Sequence, residues 1–105
     1  MSIDRNQAIL EIRKALKVRS SKAWSVTGGR GTAWGWIEIS APPRRRVEYD
    51  YMTEADQAEL GQLLGLSAPA HPQGVQIPSQ YDYRQEYIDR ANGRTPTLYG
   101  HSDWD

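Results

Sequence analysis

Residues 22–39, KAWSVTGGRGTAWGWIEI, decide the fold, because two alternating segments flank a run of glycines. Apolar and polar residues alternate over 22–27 and again over 32–39, which is typical of strands that bury one face. The glycines between them tolerate the positive φ angles of a tight connection. The sequence therefore predicts a β-hairpin that carries Ile37 and Ile39 on its buried face.

Three helices are predicted around this hairpin from apolar residues at helical spacing. The first covers 4–19, where Asp4 and Gln7 form a capping-box pattern at its start. The second covers 53–64 and the third 80–91. The predicted core joins the apolar face of the first helix to that of the hairpin and consists of Ile9, Ile12, Leu16, Val26, Ile37 and Ile39.

Two further segments are candidate strands. Residues 44–52, RRRVEYDYM, alternate in polarity, and a short extended segment at 75–77 is limited to a sheet edge by Pro78. The predicted order is α-β-β-(β)-α-(β)-α. We expect an α+β fold, a small antiparallel sheet with helices packed on one face. The domain is expected over 1–93, followed by a polar C-terminal tail over 94–105.

The composition limits the class of protein. A chain of 105 residues is enough for one domain, and the absence of cysteine excludes disulfides and thiolate metal sites. No stretch approaches the length of a membrane span, and the N-terminus lacks the layout of a secretory signal. We therefore expect a cytoplasmic protein without contact to a membrane.

Charge is divided unevenly along the chain, although the formal net charge is zero. Residues 1–46 carry a net charge of +7, and residues 47–105 carry −7. Either the two halves neutralise each other in the folded protein, or the surface has one basic and one acidic face.

The aromatic residues are four Trp and six Tyr, with no Phe, so that every aromatic ring carries a polar group. In the predicted second strand, Trp34 and Trp36 point to the same face, and Arg30 lies in the adjoining loop. This pattern is typical of a platform on which nucleic-acid bases or nucleotides stack. The same face also suits a protein partner or a homodimer. Alternatively, tyrosines, the third helix or the tail cover the indoles.

Arg44, Arg45 and Arg46 form a basic run that suits phosphates or an acidic protein surface. The alternatives are that they form a solvated turn or that they pair internally with the acidic second half. The glycine loop between the predicted strands, 28–31, is followed by a strand and lacks the lysine of a phosphate-binding loop. A simple hairpin connection is therefore the preferred interpretation of this loop.

Catalysis has little support in the sequence. There is no cysteine, there are two histidines, and no motif presents a nucleophilic serine. His101, Asp103 and Asp105 are a weak group of metal ligands in the predicted tail. We expect a non-enzymatic binding domain without cofactor or metal, whose ligand-binding residues are Arg30, Trp34, Trp36, Arg44, Arg45 and Arg46.

Four stretches of the chain also carry a resemblance: IRKALK, AWSVTGGRGTAWGWIEI, MTEADQAELGQLLGL and YDYRQEYIDRANGR. Over roughly residues 8–94 the sequence resembles a group of small uncharacterised bacterial proteins, cyanobacterial ones among them. The first helix and hairpin are distantly similar to large polyvalent protein-associated domains of phages and mobile elements. The resemblance implies a setting of conflict between mobile elements and hosts, and no catalytic residues transfer.

Overall fold

The computed structural model describes residues 4–48 and 51–97. Three helices and three strands follow one another in the order α-β-β-α-β-α, which confirms the predicted α+β class. Their bounds are α1 (Arg5–Arg19), β1 (Ser25–Gly28), β2 (Ile37–Ser40), α2 (Glu54–Leu63), β3 (Val75–Ile77) and α3 (Tyr81–Ala91).

The strands form one antiparallel sheet in the order β1-β2-β3. Val26 pairs with Ile39, which pairs on its other side with Val75. Ile37 pairs with Ile77 in the next row on the same face. Because paired residues share a face of the sheet, these five side chains form one continuous apolar layer, and all of them are buried.

The opposite face of the sheet is polar. Thr27, Glu38 and Gln76 form its central row, and the Gln76 side chain donates a hydrogen bond to Glu38 Oε2 at 2.8 Å. A face of this composition needs no covering layer.

The helices cover the apolar face. α1 packs on β1 and on α3, and α3 in turn contacts β3. The six residues predicted for the core are all buried, together with Trp24 and residues of α2 and α3 such as Leu60 and Ile88. The two hydrophobic periods, 3.6 in the helix and 2 in the strands, therefore identified the right faces.

One of the two candidate strands forms in the structure, and the other does not. The segment at 75–77 forms β3. Over 44–52, the described residues contain only an isolated bridge between Arg46 and Met52, and Pro43–Arg45 form a single 3-10 turn. Pro42 and Pro43 lack the backbone N–H groups that a ladder needs, which ends β2 and turns the chain. Residues 49–50 lie outside the described part of the chain.

The ends of the helices are held largely by backbone conformation and by arginine. Asp4 lies at the predicted start of α1, but its side chain makes no capping hydrogen bond, whereas Thr53 accepts one from Asp56 N at 3.2 Å. Gly65 and Gly93 adopt positive φ angles of 66° and 77° two residues after the last residues of α2 and α3. Glycine is the residue that adopts this conformation without steric cost.

Arg19 joins three helices through their C-terminal ends. Its guanidinium Nη1 donates to the carbonyl oxygens of Leu63 at 2.9 Å, Arg90 at 3.2 Å and Ala91 at 2.8 Å. The last carbonyls of a helix lack intrahelical partners and carry the negative end of its dipole, so a cation there is favourable. α1, α2 and α3 are thereby fixed relative to one another at this corner.

The oppositely charged halves of the chain meet in the folded structure. Lys22 Nζ lies 2.6 Å from Asp56 Oδ1 and is also paired with Glu59, while Arg45 lies 3.6 Å from Asp56. These contacts confirm internal neutralisation at one place. Hydrogen bonds to the two carboxylates raise the pKa of Lys22 above its ordinary value.

Replacing Ile37 with Ala removes a fully buried side chain from the centre of the sheet. We expect the free energy of unfolding to fall by about 2–5 kcal/mol because of lost burial and the cavity that remains. Thr27→Ala, on the polar face, is the control and should cost less than about 1 kcal/mol. Urea unfolding measures both, and equal stability of the two variants would show that the apolar layer is misassigned.

Replacing Lys22 with Met removes the ammonium group but keeps the length of the side chain. Because the pKa of Lys22 is raised on folding, its stabilising effect is fully present below the unfolded pKa and is lost as pH rises through the folded pKa. The difference in unfolding free energy between the parent and Lys22→Met should therefore be large at neutral pH and narrow at strongly alkaline pH. Tyrosine titration affects both proteins alike and cancels. Lys17→Met, which changes an exposed lysine, should show no difference at either pH; a Lys22→Met difference independent of pH would contradict this account.

Candidate functional site

Residues 29–36, here called the tryptophan loop, connect β1 to β2 and depart from the predicted strand. Gly31–Ala33 form a 3-10 turn, the Trp34 N–H donates to Gly31 O at 3.1 Å, and β2 begins only at Ile37. The prediction that Trp34 and Trp36 share one strand face is therefore wrong. The physical reason is Gly31, whose φ of 58° begins a turn where an alternating strand was expected.

Both indoles are nevertheless exposed. Trp34 retains 54% of its accessible surface and Trp36 retains 40%. The alternative that these two rings belong to the core is therefore wrong for the structure. Large aromatic side chains left in contact with water on a short loop are a feature of binding surfaces.

Arg5, at the start of α1, holds the tryptophan loop in place. Its guanidinium carbon lies 3.8 Å from the centre of a Trp34 ring, and its Nη1 donates to Trp34 O at 2.9 Å and to Gly29 O at 3.3 Å. The side chain therefore combines a cation–π contact with two hydrogen bonds to the loop backbone. One face of Trp34 is occupied by Arg5, while more than half of the residue still meets solvent.

Gly28 leaves the space that Arg5 uses. A Cβ atom at Gly28 would lie 2.3 Å from Arg5 Nη1, well inside contact distance. The sequence analysis did not find Arg5, because nothing in the linear pattern joins a residue of the first helix to a loop that begins 24 residues away. The only available signal was the glycine itself, which marks a close approach by another group.

Arg84 of α3 holds the tryptophan loop from the other side. This buried arginine donates from Nη2 to Gly35 O at 2.7 Å. A Cβ atom at Gly35 would lie 2.7 Å from the Cβ of Ser79, so only glycine fits between the indoles at this approach. Side chains from α1 and α3 thus restrain the backbone of the loop that carries Trp34 and Trp36.

Arg30 lies exposed in the same loop, as predicted from its neighbouring position. Together with Arg5 and Arg84 it brings three guanidinium groups to the loop, while residues 29–36 contain no acidic side chain. The loop itself therefore carries a single charged side chain, that of Arg30, which is positive.

The other three predicted site residues, Arg44–Arg46, form a separate group that we call the arginine turn. They follow the C-terminal end of β2, whereas Trp36 precedes its N-terminal end. Four strand residues at about 3.3 Å each separate the two groups. The six predicted residues therefore divide into two clusters at opposite ends of the sheet.

Within the arginine turn the three side chains have different surroundings. Arg46 Nε donates to Ala41 O at 2.8 Å, and Arg45 lies 3.6 Å from the buried Asp56 carboxylate. Arg44 is exposed. The Arg45 contact is the internal pairing with the acidic second half that one alternative predicted, while exposed Arg44 fits the alternative of a solvated turn.

Among residues 4–48 and 51–97, no group of three or more His, Asp or Glu side chains could hold a metal ion. No helix described here is long and apolar enough to cross a membrane. The predicted tail group of His101, Asp103 and Asp105 lies outside the described residues.

Comparison with known proteins finds no matching family model, no similar curated protein and no similar solved structure. The resemblance described above to small bacterial proteins and to mobile-element domains stays a prediction.

Arg5→Ala and Gly28→Ala should each uncover Trp34, the first by removing the guanidinium and the second by displacing it. We expect acrylamide to quench the Trp34 fluorescence more strongly in both variants. The Trp34 signal is obtained by subtracting the emission of the same variant carrying Trp34→Phe. Arg13→Ala is the control, since Arg13 lies on the same helix and donates to Val26 O.

The two substitutions should also be non-additive. With Arg5→Ala already present, Gly28→Ala has no side chain to displace and should cause no further increase in quenching. Additive increases, or an equal increase in Arg13→Ala, would show that Arg5 does not shield Trp34.

Proposed function

We propose that this domain binds single-stranded nucleic acid through the tryptophan loop and catalyses no reaction. The observation that carries the proposal is the pair of exposed indoles, Trp34 and Trp36, on a backbone that Arg5 and Arg84 hold from two helices. Each nucleic-acid base has an aromatic face, and stacking on an exposed ring contributes ~1–3 kcal/mol per base.

The fixed backbone supports this function energetically. Binding costs the conformational freedom of every side chain and loop that it orders. Here the hydrogen bonds to Gly29 O, Trp34 O and Gly35 O restrain the loop before any ligand arrives. Binding therefore loses little conformational entropy in the loop, and little of the stacking free energy is offset.

Single strands suit this surface better than duplexes. Stacking requires unpaired bases with an accessible face, and such bases occur in single strands, loops and ends. The tryptophan loop is short and presents indoles, whereas readout of a duplex uses a helix or strand pair inserted into a groove. In this proposal Arg30, which is exposed in the same loop, contacts the phosphates that flank a stacked base.

The arginine turn contributes at longer range in this proposal. Its distance from the tryptophans excludes direct participation in the same stacking contact. Its positive charge adds attraction for the polyanion through counterion release, which is independent of sequence.

The exposed groups of the tryptophan loop support binding without catalysis. Indoles stack on aromatic faces, and guanidinium groups donate hydrogen bonds to phosphates and carboxylates, so both kinds of side chain hold a ligand.

A protein partner is the alternative that the same observation favours. Tryptophan and arginine are the residues most enriched at interface hot spots, and both are concentrated on this loop. Under this alternative, oligonucleotides leave the tryptophan fluorescence unchanged.

Titration of the protein with unstructured oligonucleotides, followed by tryptophan fluorescence, tests the proposal. Trp34→Ala and Trp36→Ala should each weaken binding by ~1–3 kcal/mol through lost stacking, with the salt dependence preserved. Replacing Arg44, Arg45 and Arg46 together with Ala should weaken binding to all sequences alike and flatten its salt dependence. Tyr51→Ala, an exposed aromatic beyond the arginine turn, is the matched control and should bind like the parent.

Two results would contradict the proposal. One is the absence of any fluorescence change with oligonucleotide at concentrations up to about 100 micromolar, the upper end of the dissociation constants typical of sequence-independent binding at physiological salt. The other is equal weakening by Tyr51→Ala and the two tryptophan variants, which would place the stacking elsewhere.

A further inference from the structure

The outward side of α1 is a second exposed apolar surface. Leu10 is 57% exposed and Val18 is 80% exposed. Both line an open groove of about 520 Å³ that runs along α1 and reaches Asn92, the residue that follows α3. Ala15 also lines the groove and is buried, so its small side chain leaves a hollow there. Aliphatic side chains grouped along one groove are typical of an interaction surface.

Two opposite charges lie on the same stripe of α1. Glu11 and Lys14 are three residues apart in the helix, so they are neighbours on one face, and both line the groove. Both are exposed, and neither takes part in an ion pair within the described residues. The stripe therefore carries one unpaired acid and one unpaired base between its apolar residues.

We propose that a second copy of this chain covers this surface, with the two α1 helices antiparallel about a twofold axis. When Glu11 of one copy faces Lys14 of the second copy, the symmetry also places Lys14 of the first opposite Glu11 of the second. Two ion pairs form from one self-complementary stripe, which is the requirement for a twofold interface.

The apolar residues fit the same register. In an antiparallel pair that aligns position 11 with 14, Val18 lies beside Gln7 of the second copy and packs on its flexible stem. The twofold axis also brings the exposed Leu10 side chains of both copies to the same edge of the interface. A parallel pair would instead bring Glu11 to Glu11 and Lys14 to Lys14, which repel each other.

The size of the surface predicts a dimer that depends on concentration. α1 has 15 residues and is about 22 Å long. One pair of helices of this length buries less than the ~800 Å² per partner of a standard stable interface. We therefore expect monomers in dilute solution and dimers as the protein concentration rises.

Sedimentation velocity over a series of protein concentrations tests the dimer, with the purified chain as the only component. The single charge reversals Glu11→Lys and Lys14→Glu each turn both ion pairs into repulsions. Each variant alone should therefore have a dissociation constant at least roughly tenfold higher than that of the parent.

An equimolar mixture of the two variants is the decisive sample. In a mixed dimer, the Glu11→Lys chain presents a positive charge at both positions and the Lys14→Glu chain presents a negative charge at both. Both pairs across the interface are then attractive again. We expect the mixture to form dimers with an affinity close to that of the parent. Restoration by mixing cannot arise from misfolding of either variant.

Arg44→Glu is the control, because it makes the same charge change at an exposed side chain outside α1 and outside the groove. It should dimerise like the parent. A monomeric parent at every concentration, single variants that associate like the parent, or a mixture that stays monomeric would each overturn the proposal.

Discussion

The packing of α1 against the hairpin determines the position of almost every other feature. The buried face of this helix, which includes Ile12 and Leu16, covers the apolar layer that begins at Val26. Once that face is buried, the helix cannot rotate about its axis without exposing it. The N-terminal end of α1 then lies beside the tryptophan loop, its C-terminal end beside α2 and α3, and its remaining face towards solvent. Local amphipathicity thus fixes the geometry of distant groups.

Arginine side chains connect the elements that this packing brings together. Arg5 and Arg84 donate to carbonyl oxygens of the tryptophan loop, and Arg19 donates to the last carbonyls of two helices. Many carbonyls in loops and at helix ends have no backbone donor, and a guanidinium offers several N–H donors in a rigid plane. The basic excess of the first half of the chain therefore has a structural use. This use limits how much of that charge is available for a ligand.

The general fold could be predicted from the sequence, because it depends on the local spacing of apolar residues. The alternation around Ile37 and Ile39 and the helical spacing of Ile9, Ile12 and Leu16 each reflect a single buried face. The tryptophan loop was not accessible in the same way. Glycine permits both an extended and a left-handed backbone. The alternation over 32–36 therefore predicted a continuous strand, whereas in the structure the chain turns at Gly31.

The site could be predicted in part for a related reason. Exposed tryptophans and Arg30 are neighbours in sequence, and the pattern found them. The contacts of Arg5 and Arg84 with the loop span long sequence separations and depend on how the helices pack. Likewise, the separation of the arginine turn from the tryptophans follows from the length and direction of β2. Three-dimensional placement of this kind has no signature in one sequence.

The most direct measurement of the central claim is a heteronuclear NMR titration of the indole N–H signals with an unstructured oligonucleotide. Each tryptophan gives one such signal, and buried Trp24, whose indole nitrogen donates to Ser20 Oγ at 3.0 Å, serves as an internal reference. The account predicts that the Trp34 and Trp36 signals move with the ring currents of stacked bases while the Trp24 signal stays in place. Unmoved signals of Trp34 and Trp36 at saturating oligonucleotide would contradict it.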